Sequence, residues 1–190
     1  MEQTHLIFVR LPDKKIIALR HEWLFGQSVL KRLKSFIKFL QTVPPLLYYQ
    51  LISSTESFTF FLAYAYSDFG DKRLFSISEN PKETVSNNGI TIIDLSEFQL
   101  IIPNTERKIK YCFMSTSHLD CHESKAFLYS EGGKSCLRPL SAETYLSAYY
   151  PEGCEAMGKR EDKDLISFFK GIPVLTLPEV KKIFPKLKKE

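Results

Sequence analysis

Residues 66–75 read YSDFGDKRLF, with Asp68, Phe69 and Gly70 in a row. In protein kinases an Asp-Phe-Gly tripeptide meets the magnesium that bridges the ATP phosphates. That chemistry also needs a glycine-rich loop, a strand lysine and a His-Arg-Asp catalytic loop. None of these is present, and 190 residues are too few for a kinase domain. The tripeptide reads instead as a hairpin turn, with Asp68 bonding nearby backbone and Gly70 supplying positive φ. Phe69 is left at the tip as a candidate partner contact.

A second stretch, Glu131-Gly132-Gly133-Lys134-Ser135, imitates the end of a phosphate-binding loop. The full motif has another glycine five residues before the second one, and a helix after it. Leu128 holds the first of those places and Leu137-Arg138-Pro139 the second, so a surface turn is expected. Cys112, His118, Cys121 and His122, joined by Cys136 or Cys154, carry the ligand types of a tetrahedral zinc site. No Cys-x-x-Cys pair occurs, and the adjacency of Cys121 and His122 makes joint ligation awkward. A Cys–His pair with Asp120 or Glu123 would be the corresponding nucleophilic arrangement. The group leaves a zinc-binding or catalytic protein as one alternative.

Cations cluster twice, at Lys31, Arg32, Lys34 and Lys38 and at Lys181, Lys182, Lys186, Lys188 and Lys189. The net charge is only +4, short of the bias of a dedicated nucleic-acid binder. A solvated face and a solvated tail are the plain reading. A nucleic-acid-binding module is a second alternative, since clustered cations are what phosphate contact requires. The tail also resembles a weak nuclear-import signal. Lys31, Lys34 and Lys38 are the candidate contacts for a protein partner.

The elements that must position these groups can be read along the chain. Hydrophobic residues make up 44% and charged residues 25%, which gives a globular chain able to bury a core without staples. MEQTHLIFVRLPDKK lacks the basic start and apolar core of a secretory signal. The longest dense apolar run, residues 58–66, falls far short of the roughly 20 residues of a membrane helix. The expectation is an intracellular protein, nuclear or cytoplasmic, with free thiols, no membrane contact and no cofactor.

HLIFVRL and KIIALRH flank Pro12-Asp13-Lys14 and predict an N-terminal hairpin. Val29, Leu30, Leu33, Phe36, Ile37 and Leu40 then form an apolar stripe at helical spacing, with Ser28 or Gly26-Gln27 at its start. Pro44-Pro45 closes that helix. LLYYQLIS at 46–53 and FTFFLAYAY at 58–66 predict strands, the latter apolar on both faces and so central. Residues 73–78 resume a strand. ENPKETVSNN is a loop, and GITIID leads into a strand at 98–102. Strands are expected at 108–114 and 126–130. Helices are expected at 141–150 and at 162–170, the latter ending at Gly171. A last helix follows Thr176 as N-cap, with Pro178 in its first turn.

The order of a hairpin, one amphipathic helix and later strands is an α+β plan, the β-grasp arrangement in outline. HLIFVRLPDKKIIALRH, SVLKRLKSFIKFL, Pro44-Pro45 and TVSNNGITIIDLSEFQLII together resemble ubiquitin-like proteins. FTFFLAYAYSDFGDKRLFSIS and GITIIDLSEFQLIIP look nearer to the family of the small Sin-associated polypeptide of corepressor and exon-junction-associated complexes. The likeness covers about residues 5–103. It implies a ubiquitin-like domain over 1–104 and a C-terminal extension over 105–190, strands then helices, packed on the first. That family is a non-enzymatic adaptor, so the resemblance implies a protein-interaction subunit of a larger complex, RNA- or chromatin-related. The chain departs from the family in a shorter link before the helix, and it lacks the terminal Gly-Gly of conjugated modifiers.

Overall fold

A computed structural model describes residues 4–22, 26–52, 76–77, 89–98, 108–114, 139–149 and 159–184. The chain is an α+β protein. Strands β1 (Thr4–Arg10) and β2 (Ile16–Glu22) pair antiparallel around the expected turn. In that turn Lys14 donates its N–H to Leu11 O at 2.9 Å, and Asp13 Oδ1 accepts the Lys15 N–H at 3.0 Å. Lys14 sits at φ 69°, the left-handed region that Pro12 and Asp13 steer the chain into.

Helix α1 (Gln27–Thr42) buries Val29, Leu30, Leu33, Phe36, Ile37 and Leu40, the stripe expected from spacing alone. Gly26, not Ser28, is its N-cap, and its φ of 52° suits glycine. Val43 turns the chain to an extended ψ of 133° and donates its N–H to Phe39 O at 2.7 Å. Of residues 46–53, expected as a strand, 46–52 are instead helical: α2 spans Pro45–Ile52. Pro44 ends one helix and Pro45 begins the next, because proline's fixed φ and missing N–H suit the first helical position. An unbroken apolar run does not discriminate strand from helix, and the proline pair decided it.

Among the described residues the sheet has six strands, in the order β3-β2-β1-β4-β5-β6. Here β3 is Ser76–Ile77, β4 is Ile90–Asp94, β5 is Lys110–Met114 and β6 is Pro139–Leu140. β4 lies parallel to β1, in the register Leu6↔Ile90 to Arg10↔Asp94, and all other pairings are antiparallel. The segment expected to lead into a closing strand is therefore itself a strand. The chain leaves it by a turn, in which Asp94 Oδ1 accepts the Ser96 N–H at 2.9 Å and Phe98 donates its N–H to Leu95 O at 3.0 Å. Residues 99–102 lie outside the described residues, as do 58–66 and 126–130.

Gly89, at φ +99°, precedes β4. A Cβ there would lie 3.1 Å from Met114 O and 3.7 Å from the His5 ring, so the close approach of β1, β4 and β5 needs glycine. Strands from either side of residue 104 are neighbours, since β4 pairs with β5 along five residues. The edge of β5 is completed by β6 and by a parallel bridge from Tyr111 to Val174.

Alternation along the strands gives the sheet two buried faces. Ile7, Val9, Ile17, Leu19, Ile93, Tyr111 and Phe113 belong to a large cluster shared with α1, α2 and two later helices, α3 (Ala142–Tyr149) and α4 (Lys159–Phe169). Leu6, Phe8, Ile90, Ile92, Cys112 and Met114 form a smaller one with Leu175, Phe184 and the last helix, α5 (Leu177–Ile183). Helices α3 and α5 fall where their caps placed them, and α4 begins three residues before the expected 162.

Candidate interaction surface

The buried stripe of α1 turns its opposite side outward. Lys31 and Lys38 are exposed and Lys34 is half-buried, so the three predicted contacts share one surface. That surface is shaped by α4. Its residues Leu165 and Phe169 are buried in the large core, which leaves Phe168, one position earlier than Phe169, only partly covered. Lys34 Nζ stands 5.3 Å from the Phe168 ring centroid and Lys38 Nζ 5.9 Å from it. Both ammonium groups lie within the range at which a ring quadrupole attracts a cation. A shallow groove of about 290 Å³ runs beside them, lined by Lys31, Lys34, Ser35, Asp164 and Leu165.

Helix α2 has exposed residues of its own. Tyr48 is its anchor, buried with its ring 4.9 Å from that of Phe98. Leu46 and Leu47, just before it, are 72% and 42% exposed. Full burial of a leucine stabilises by about 1.5–3 kcal/mol, so two that remain in water leave that contribution unrealised in this chain. Their exposure was missed because 46–53 was expected as a strand. Phe168 was missed because only periodicity separates it from Phe169.

Other polar groups are structural. Glu179 sits at the third position of α5 after the Thr176 cap. Its Oε2 accepts the Thr176 N–H at 2.7 Å and the Thr176 hydroxyl at 2.8 Å, and its Oε1 accepts from Lys110 Nζ at 3.0 Å. The Thr176 backbone bond, then the Lys110 and Thr176 side-chain bonds, hold the Glu179 carboxyl down to about 2. The same bond to Glu179 raises Lys110, which also reaches Glu97 at 3.6 Å. On the other face, Tyr111 Oη accepts the N–H of Ala142, the first residue of α3, at 3.2 Å, while burial raises the phenol's pKa. His5 and Thr91 are both fully buried and joined by a 2.8 Å bond between Nε2 and Oγ1. Separated by 86 residues, that pair has no local signal in the sequence.

The residues of the metal reading separate differently. Cys112 is fully buried among Leu6, Ile92, Met114 and Val180. Burial, and secondarily the nearby Glu179 charge, push its thiol well above the ordinary range, so thiolate chemistry is disfavoured there. His118, Cys121, His122, Cys136 and Cys154 lie outside the described residues, as do Phe69 and the two turn motifs. Among the described residues no three His, Cys, Asp or Glu side chains are grouped as metal ligands would be. No described helix is long and apolar enough to cross a membrane.

Comparison with family models, with curated proteins and with solved structures returns no match for this chain.

Proposed function

We propose that this chain is a non-enzymatic protein-interaction subunit, with a β-grasp frame at its N-terminal half, that meets its partner through α1 and α2. The hairpin, the helix laid over the sheet and the parallel return of β4 beside β1 support the β-grasp part of the reading. The observation that carries the function is a pair of exposed leucines on α2 in a chain whose preceding helix carries an outward row of lysines. Leu46 and Leu47 remain exposed on α2, while Lys31, Lys34 and Lys38 line α1. Exposed apolar anchors and charged residues are what a contact surface uses, the anchors for affinity and the charges for orientation.

Affinity purification with two variants tests this. Leu46→Asp with Leu47→Asp removes the apolar anchors, and Lys31→Glu with Lys34→Glu and Lys38→Glu reverses the charge. Both sets change side chains outside the buried stripe of α1 and the buried Tyr48 of α2. Loss of the wild-type partners at unchanged circular dichroism is the expected result. Recovery of the same partners by both variants would overturn the proposed surface.

A further inference from the structure

The proposed surface contains one feature that constrains the partner's chemistry. Lys34 and Lys38 hold their ammonium groups over the same ring, that of Phe168. Neither forms an ion pair with a carboxylate among the described residues. Two like charges drawn to one aromatic ring, each by about 0.5–1 kcal/mol at an exposed site, also repel each other. An anion brought alongside relieves the repulsion. The groove next to the ring is lined by Lys31, Lys34, Ser35, Leu165 and the carboxylate of Asp164.

We propose that the groove between α1 and α4 seats an acidic peptide segment of a partner protein. Its carboxylates pair with Lys34 and Lys38, and a backbone N–H meets Asp164. A phosphodiester chain fits less well. Its evenly repeated charges would bring a phosphate against Asp164, whereas a peptide can alternate carboxylates with N–H donors. This assignment rests on the protein-interaction reading above and names the partner class for it.

Fluorescence anisotropy with a labelled peptide of mixed Asp, Glu and Leu tests the idea on the full chain. A scrambled Lys–Leu peptide and a single-stranded oligonucleotide serve as the competing probes. The acidic peptide alone should bind. Lys34→Glu with Lys38→Glu should weaken it by about tenfold, as expected for two partly desolvated charge pairs. Ser35→Trp should weaken it to a similar extent, because it fills the groove and leaves every charge in place. Amide chemical shifts should move at residues 31–38 and 164–168. Unchanged affinity in Ser35→Trp would overturn the groove, since diffuse charge attraction does not need it. Tighter binding of the oligonucleotide would overturn the peptide assignment in favour of nucleic acid. Wild-type partners that survive Ser35→Trp yet are lost on Leu46→Asp with Leu47→Asp would sink this inference alone and leave the interaction reading standing.

Discussion

The two faces of the sheet are covered in different ways. One carries α1, α2, α3 and α4, and its cluster includes Phe36, Tyr48, Tyr111, Phe113, Tyr145 and Phe169. The other is closed by α5, seven residues long, with Val180, Ile183 and Phe184 meeting Leu6, Phe8, Ile90 and Ile92. A helix that short has no stability of its own in water. It stays where it is through burial, through the Thr176–Glu179 cap and through the Lys110–Glu179 tie. The aromatic face therefore sets the global stability, and the α5 face is the place where local opening costs least. The proposed contact residues Lys31, Lys34 and Lys38 lie on α1, on the outside of the aromatic face.

Core truncations separate the faces most strongly. Phe113 is fully buried, 4.7 Å from Tyr145 and 5.5 Å from Tyr111. Phe113→Ala should cost about 3–5 kcal/mol by chemical denaturation, a cavity loss that the stacked neighbours cannot refill. Ile183→Ala, on α5, should cost about 2 kcal/mol, because a short terminal helix can settle into the space. A second readout keeps the contrast visible. With Cys121, Cys136 and Cys154 changed to Ser, Cys112 is the remaining thiol, and its modification rate should rise more in Ile183→Ala than in an aromatic-face variant of equal global cost. Equal rates would mean that the two faces open as one.

The tie at α5 gives a smaller effect with a pH signature. Glu179→Ala removes both cap and ion pair and should cost about 1 kcal/mol at neutral pH. Glu179→Gln keeps a residue able to complete the capping box and should cost less. Because the folded Glu179 carboxyl titrates near 2, below its ordinary value of 4.5, its contribution is full above about pH 5 and is lost as pH falls toward 2. Lys110 is raised from 10.5, so its share persists below that value and is lost as pH climbs through the raised one. Thermal melts across that range should show wild type and Glu179→Gln converging in acid. Curves that stay parallel down to pH 2 would remove the ion pair from the account of α5. The smallest effect belongs to the outer surface: Lys34→Glu with Lys38→Glu should shift stability by no more than about 1 kcal/mol, the scale of the lost cation–π contacts.

How much of this was legible beforehand followed the range of the forces involved. The stripe of α1 needs only the helical period, and Thr176 with Pro178 marks α5 through local capping chemistry. The α2 segment failed because LLYYQLI carries no alternation, and its strand-like composition was outweighed by Pro45 at the first helical position. The parallel β1–β4 pair, the His5–Thr91 bond and the Lys110–Glu179 tie join residues far apart in the chain, and no window of sequence contains them. At the candidate surface Lys31, Lys34 and Lys38 were visible as the side of α1 left outside the stripe. The ring beneath two of them comes from α4, more than a hundred residues later, and only the tertiary packing brings it there.

Hydrogen–deuterium exchange on the full chain, alone and with a purified partner, tests the central claim most directly. Protection on binding should appear in residues 27–52 and in α4, while β5 and α5 exchange as before. Protection confined to α5 and the sheet face beneath it, with α1 and α2 unchanged, would contradict the proposed surface.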